Sequence, residues 1–477
     1  MDDIAADCVL VNGHIVTLDP ARPRATALAI VSDRIVAVAG DREIRRLRDR
    51  RTRVVDLRGA TVVPGLVDAH AHLDREGLKY LYPSLARCRS IADVQAVIRR
   101  LARARPRGEW IVTMPVGTPP FYLDAPGSLR EHRWPTRADL DAAAPDHPAY
   151  IRGIWGYWNK PPVVSIANSA ALARAGVTRD TVPPKGVEIL KDAAGEPTGV
   201  FVEHNLVQVL EFTLIRVAPR FTHADRLTAL GDSQRRYAAR GVTAIYEGHG
   251  VAPELLSVYR EAHERGLLRL RAFLTVSPTW DAADAGQAIP EVILDVWEKI
   301  AQSTPIADLR WVAVHLNAAT GDQLARLRRI GAVATTNPIS YLWRSAAEEA
   351  RKLGSGAETL LPHRSLERVR LPFGLATDNK PADPWLAFRA VVERSDMASG
   401  EIVGPRERLT RLAALRALTV GGAFITFAER ERGVLAPGRH ADLAVLDQNP
   451  LTMPLAEIDS LVCRLTMVGG RVVHGDE

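Results

Sequence analysis

The stretch Pro64-Gly65-Leu66-Val67-Asp68-Ala69-His70-Ala71-His72-Leu73 decides how the rest of the chain is read. A short apolar run ends in two histidines one residue apart. Side chains two apart on a strand leave on the same face. His70 and His72 therefore project together from a strand end, at a separation that lets two imidazoles share one divalent ion. Two ordinary polar residues in a strand-end loop are the plain alternative. The spacing, directly after an apolar strand, favours ligands.

Working outward, similar apolar runs recur at 110–115, 149–154, 242–246, 270–276, 311–314, 332–336 and 371–376, making eight with 65–69. Amphipathic helical stretches lie between several of them, at 92–104, 253–265 and 322–329. Eight βα repeats predict an α/β fold, a (β/α)8 TIM-type barrel with its site at the C-terminal strand ends. A doubly wound open sheet is the competitor, but it advertises itself by a Gly-rich phosphate turn, and no GxGxxG or Walker motif occurs. The segment 118–235 breaks the rhythm and reads as an insertion around the third strand, a lid or substrate cover.

Both chain ends read as β structure. Asn12-Gly13 between two β-branched runs predicts a hairpin, and 27–31, a Ser32-Asp33 turn and 35–39 predict another. Residues 54–57 and 61–63 continue the pattern, as do 441–446 and Val472-Val473 after Gly469-Gly470. The expectation is a small β-sandwich built from both ends, with residues 1–60 and 431–477 enclosing a barrel over 61–430.

Three further strand ends carry chemistry. Leu371-Pro372-Phe373-Gly374-Leu375-Ala376-Thr377-Asp378 ends in a carboxylate, followed by Asn379-Lys380-Pro381. An Asp there can simply cap a helix. The first and last strands of a closed barrel are neighbours, however, so Asp378 is expected to face His70 and His72. Trp311-Val312-Ala313-Val314-His315 offers a third imidazole, or a core histidine. Glu247 and His249, in Val242–Gly250, repeat the spacing of two, flanked by glycines that allow close approach; capping of the next helix is the alternative there. Trp155, Tyr157, Trp158, Tyr341 and Trp343 lie after strands and suit either an apolar substrate pocket or local core. Arg344 and Lys380 are placed to bind a substrate carboxylate or to face water.

Composition removes several classes. Of 477 residues, 47% are hydrophobic and 25% charged, an ordinary globular mix that excludes disordered, collagen-like and coiled-coil chains. No apolar run approaches the ~18 residues of a membrane span. Cys8, Cys88 and Cys463 are too scattered for a disulfide framework or a CxxC zinc site. The acidic start Met1-Asp2-Asp3 does not read as a secretory signal, so a cytoplasmic protein is expected. The net charge of +6 is almost all arginine, and even 43–53 mixes arginines with acids. That describes a solvated helix rather than a nucleic-acid surface. The expected partners are a small-molecule substrate and a second copy of the chain in a homo-oligomer (a dimer), without nucleic acid or membrane.

Taken together, the chain resembles the metal-dependent amidohydrolase superfamily, and within it the family-3, YtcJ-like branch. PGLVDAHAHL is similar to the first-strand metal motif and FGLATD to the last-strand segment with the catalytic Asp. WPTRADLDAAAPDHPAYIRG, NSAALARAGV and GEPTGVFVE resemble the branch's insertion, and ALTVGGA with RGVLAPGRHADLAVLD its C-terminal β-domain. The resemblance implies the barrel with its composite β-sandwich, and His70, His72 and Asp378 in the metal site. Two departures stand out. The sixth-strand motif is HLNAATGD, from His315 to Asp322, where the branch has the shorter HAxGD. The fifth strand offers neither the His nor the Lys of binuclear relatives. A mononuclear site completed by Glu247 or His249 is therefore expected.

Imidazoles and a carboxylate suit Zn, and also Co, Mn or Fe. Such an ion lowers the pKa of a bound water towards ~7, making hydroxide available. Asp378 is the expected proton carrier, and His315, where it is not a ligand, the donor that polarises the carbonyl. The expected reaction is hydrolysis of the C–N bond of an amide, formamide, urea or carbamate-type molecule. A deaminase of the same architecture and a metal-free assembly protein are the alternatives. The first usually adds a Glu soon after the sixth-strand His, absent near His315. The second is expected to lose the HxH pair or the final Asp.

Overall fold

The computed structural model describes residues 5–119, 122, 124–153, 162–204, 217–251, 253–276 and 291–475. The chain divides into two compact units, one combining Met1–Glu76 with Leu230–Glu477 and the other spanning Gly77–Ala229. In the first unit, a six-stranded sheet takes strands from both chain ends. Its order is Arg471–His474, Cys463–Val468, Leu443–Leu446, Thr61–Pro64, His14–Val16 and Arg24–Ala25. Leu443–Leu446 runs antiparallel to Thr61–Pro64, with Leu443 opposite Pro64 and Leu446 opposite Thr61. A four-stranded sheet, ordered Arg34–Ala39, Ala27–Val31, Cys8–Val11 and Arg53–Asp56, supplies further side chains to the same core. Leu10, Leu28, Val62, Leu443, Leu465 and Met467 are all buried there.

The expected 27–39 hairpin forms, with Val31 opposite Arg34 and Ser32 at φ 54° in the turn. The Asn12-Gly13 hairpin does not. Cys8–Val11 pairs with Ala27–Val31 and Arg53–Asp56, whereas His14–Val16 pairs with Thr61–Pro64 and Arg24–Ala25, so the dipeptide carries the chain from one sheet into the other. Asn12 does adopt the left-handed φ of 60° that such a turn demands. Gly13 is closely packed: a Cβ there would lie 2.3 Å from Leu57 Cδ1, so that side chain would have to turn away.

Six parallel strands of this unit bear the candidate site. Arg271–Val276, Val242–Val251 and Leu66–Asp68 form one ordered set, and Val312–Ala313, Val333–Thr336 and Phe373–Leu375 another. The sets meet where the Ala69 amide donates to the Leu375 carbonyl at 3.1 Å and the Asp378 amide to the His70 carbonyl at 2.9 Å. The first and last of the expected strands are thus neighbours. Helices alternate with the strands and start on readable caps. Thr320 and Gln323 form a capping box on Gly321–Arg329, and Asp383 caps Pro384–Glu393 with proline in its first turn. The apolar faces of Gly321–Arg329 and His363–Val369 bury Leu324, Leu327 and Leu366 against Ala313, Ala334 and Leu371.

Two of the eight expected barrel strands go elsewhere. Leu66–Asp68 pairs directly with Val242–Val251. Ile111–Thr113 and Ala149–Ile151 pair with each other, parallel, inside the second unit. They edge a mixed five-stranded sheet that continues through Val163–Ala167, Pro197–Glu203 and Val187–Lys191. Helix Ile91–Arg103 packs Val94 and Ile98 into the core of that unit with Ile111, Leu140 and Ile151. An apolar run specifies a strand but not which sheet receives it, and both runs are only three residues long here. The compact unit also begins at Gly77, well before the break in rhythm read at 118–235.

Candidate metal centre

Each residue of the centre hangs from the end of a parallel strand. His70 and His72 follow Leu66–Asp68, and both are fully buried. His315 follows Val312–Ala313 and Asp378 follows Phe373–Leu375, at 2% and 0% exposure. Ligand atoms of His70, His315 and Asp378 all lie within 4.8 Å of one another. Two donors on opposite sides of one ion at zinc-ligand distances stand at most about 4.4 Å apart, so the cluster has nearly the span an ion needs. Asp378 Oδ1 is 3.1 Å from His72 Nε2 and 3.8 Å from His70 Nε2, and its Oδ2 is 3.7 Å from His315 Nε2. The His70 ring packs edge-on against those of His315 and His72, with centroids 4.4 and 5.2 Å away.

The other atoms of these side chains are held by further polar residues. His72 Nδ1 hydrogen-bonds Glu247 Oε1, while Glu247 Oε2 accepts from the Leu73 amide at 3.0 Å and the Tyr259 hydroxyl at 3.5 Å. Glu247 thus reaches the centre through His72, fixing which nitrogen faces Asp378. Asp378 Oδ2 accepts from Lys380 Nζ at 2.5 Å and Asn337 Nδ2 at 2.9 Å. Asn379 Oδ1 accepts from the His72 amide at 2.6 Å, and its Nδ2 donates to Glu76 at 3.1 Å. Asp68 accepts from the Thr377 amide at 3.0 Å, the Thr377 hydroxyl at 2.6 Å and the His70 amide at 3.3 Å, tying the first strand end to the last.

Electrostatics follow from this wiring. Burial would raise the Asp378 carboxyl, but the Lys380 ammonium and the surrounding histidines outweigh it and hold the group well below the usual carboxylate range. Asp68 is pushed up to about 7 by burial, against its hydrogen bonds to Thr377 and the His70 amide. Burial also draws the Glu247 carboxyl up. His72 is raised despite its own burial because Glu247 and Asp378 face it.

Of the residues read from sequence, His70, His72, His315, Glu247 and Asp378 come together. His249 lies within Val242–Val251, whose pairing register shifts between Glu247 and Val251, and its side chain is outside the described residues. The glycine beside it does what the flanking glycines suggested, since a Cβ on Gly248 would lie 2.2 Å from His70 Nδ1. Lys380 joins the centre by pairing with Asp378. Trp343 packs against Ile339, Leu386 and Ala387. Tyr341 shares its helical turn, and burial lowers the guanidinium pKa of Arg344. Trp155, Tyr157 and Trp158 lie outside the described residues. Sequence reading missed Asn337, Asp68 and Asn379, although Asn337-Pro338 ends an apolar strand just as Asp378 does.

The model of the amidohydrolase family (Amidohydro_3) matches residues 53–288 and 279–474, and the chain belongs to that family. It is 25% identical to N-substituted formamide deformylase of Arthrobacter pascens, across 97% of either chain. It is 24% identical to the putative amidohydrolase YtcJ of Bacillus subtilis, across 94% of this chain and 96% of that one. Among solved structures, an uncharacterized metal-dependent hydrolase from Pyrococcus furiosus shares the fold. Its TM-score is 0.68 at 20% identity, covering 93% of this chain and all of that one. No helix among the described residues is long and apolar enough to cross a membrane.

Proposed function

We propose that the chain is a metal-dependent hydrolase that cleaves the C–N bond of a small amide, formamide, urea or carbamate-type molecule. The observation that carries this reading is the convergence of His70, His315 and Asp378, all buried, with ligand atoms within 4.8 Å of one another. Their chemistry, two imidazole nitrogens and a carboxylate, fits a divalent ion of the zinc type, with cobalt, manganese and iron as the other candidates. His72, turned by Glu247, stands ready to complete a mononuclear set. The ion supplies a Lewis acid that acidifies water and polarises a carbonyl.

The chain's own residues do the rest. Asp378 is the proton carrier: it takes a proton from the attacking water at the oxygen facing the imidazoles and passes it to the departing nitrogen as the C–N bond breaks. Lys380 and Asn337 keep that carboxylate in place by holding its other oxygen. Glu247 keeps the His72 Nε2 lone pair pointed inward. The parallel strands are read as the body of a (β/α)8-type barrel over 61–430. Residues 118–235 are read as an insertion in that barrel, and the sheets at 1–60 and 431–477 as the composite β-domain.

Elemental analysis of the purified chain, with turnover on a panel of amides, formamides, ureas and carbamates, tests the reading. A tight preformed site should retain its metal, so less than ~0.2 ion per chain after mild purification would refute it.

A further inference from the structure

Asn337 follows the strand Val333–Thr336 and is 1% exposed. Its Nδ2 donates to Asp378 Oδ2 at 2.9 Å. Chemistry fixes the orientation of the amide: an ionised carboxylate only accepts, so the NH2 group faces it and the carboxamide oxygen turns the other way. That oxygen, Asn337 Oδ1, is buried without a hydrogen-bond partner among the described residues. A buried carboxamide oxygen without a partner calls for an explanation, and completion of the bond by a group from outside the fold is one. The two residues before it differ. Thr335 Oγ1 accepts from the His315 amide at 3.3 Å, and Thr336 Oγ1 bonds His363 Nε2 at 2.9 Å. Both hydroxyls are used within the fold.

We propose that Asn337 is a substrate-binding residue: its NH2 group holds Asp378 while its oxygen accepts a hydrogen bond from an N–H of the substrate. The inference rests on the C–N hydrolase reading above and narrows the substrate class. The preferred substrates carry an N–H beside the carbonyl that is attacked: primary and secondary amides, formamides, ureas and N–H carbamates rather than tertiary amides. One side chain then spans the proton carrier and the nitrogen that must receive its proton. Water contributes its oxygen to the carbonyl carbon and one proton to Asp378. As the C–N bond breaks, that proton moves to the nitrogen beside Asn337, and Asp378 is an ionised carboxylate again.

The test compares binding of acetohydroxamate, which has an N–H, with that of N-methylacetohydroxamate, which lacks it, to the full-length metal-loaded chain. The wild-type protein should favour the N–H probe by roughly tenfold, the worth of one hydrogen bond. Asn337→Leu keeps the bulk but removes the acceptor, and should erase the preference, so that the two probes bind equally well whatever the absolute affinity of the variant. A preference that survives in Asn337→Leu, or is absent from the wild type, overturns the inference. A structure of the wild-type complex supplies a check independent of the variant. The probe N–H should lie within about 3.2 Å of Asn337 Oδ1, and an N–H directed elsewhere rejects the assignment. Metal-free wild-type protein would sink the parent reading and this one together. Metal-loaded protein without the preference sinks this one alone.

Discussion

Replacing Gly248 by alanine tests the centre through one methyl group. The added Cβ would sit 2.2 Å from Nδ1 and 2.9 Å from Cε1 of His70, and 3.2 Å from Cε1 of Tyr246. Carbon contacts of that kind do not occur below 3.0 Å, so the His70 ring must retreat by at least about 0.8 Å. It has little room to do so. Its backbone is pinned by the Asp378 amide on its carbonyl and by Asp68 on its own amide, at 2.9 and 3.3 Å. Its ring is flanked by two other imidazoles.

A misplacement near 1 Å at a reacting centre costs on the order of 10²-fold in rate, and overpacking of a core costs about 1–3 kcal/mol. Gly248→Ala should therefore lower kcat at least ~10²-fold and deplete bound metal, while the protein still folds and melts cooperatively. The assay pairs elemental analysis with turnover, and circular dichroism reports the fold. Gly321→Ala is the control, since a Cβ there meets nothing within 4 Å. Wild-type metal content and turnover in Gly248→Ala would refute the argument, because His70 would then have no part in the centre.

Three further substitutions probe separate links. In Asp378→Asn the amide oxygen should take the Oδ2 place between Lys380 and Asn337, both donors, leaving the NH2 group turned toward the imidazoles. Turnover should fall at least ~10²-fold and metal occupancy with it, and near-wild-type turnover would move the proton carrier elsewhere. Glu247→Gln keeps the shape but loses the charge that orients His72, so chelator competition should show metal held roughly 10- to 100-fold more weakly. Unchanged affinity would make Glu247 a bystander. Glu203 belongs to the second unit, where burial lifts its carboxyl to about 7 from an ordinary value of 4.5. The folded state therefore binds more protons than the unfolded state between those values, and stability is lost as pH rises through that window. Glu203→Gln should melt higher than wild type at pH 8 and show no such gain at pH 4. A melting difference independent of pH would contradict the assignment.

Much of the centre was legible because each of its main groups ends an apolar run: His70 and His72 after 65–69, His315 after 311–314, Asp378 after 371–376. A polar residue buried there is costly unless used, so the sequence marks it. Asp68 and Asn337 carried a similar mark but sit where a strand residue needs no special explanation. Their roles depend on partners more than 300 and 40 positions away, Thr377 and Asp378. The fate of Ile111–Thr113 and Ala149–Ile151 was not legible for the same reason. Strand propensity is local, whereas the choice of sheet is made by long-range pairing that the runs themselves do not encode. Asn12-Gly13 shows the converse: the turn conformation was read correctly, but its two flanking strands found better partners in different sheets.

The backbone at the centre explains why so many uncharged groups surround so few ligands. His315, Asp378 and Asn379 all adopt left-handed conformations, at φ 54°, 49° and 58°, which residues other than glycine populate reluctantly. Each such position costs on the order of 1 kcal/mol or more and persists only where neighbours over-determine it. Here they do. The Asp378 amide is bound by the His70 carbonyl, the Asn379 amide by Thr377 Oγ1, and the His315 amide by Thr335 Oγ1. Asp68 in turn holds Thr377 from the neighbouring strand, and the Tyr237 hydroxyl lies 3.2 Å from the same Thr377 oxygen. From this conformation the Asp378 carboxylate stands 3.1 Å from His72 Nε2 and 3.8 Å from His70 Nε2. The polar shell of Asp68, Thr377, Thr335, Asn337 and Asn379 therefore acts on geometry first. It sustains the strained backbone that brings a carboxylate and three imidazoles from distant parts of the sequence to one point.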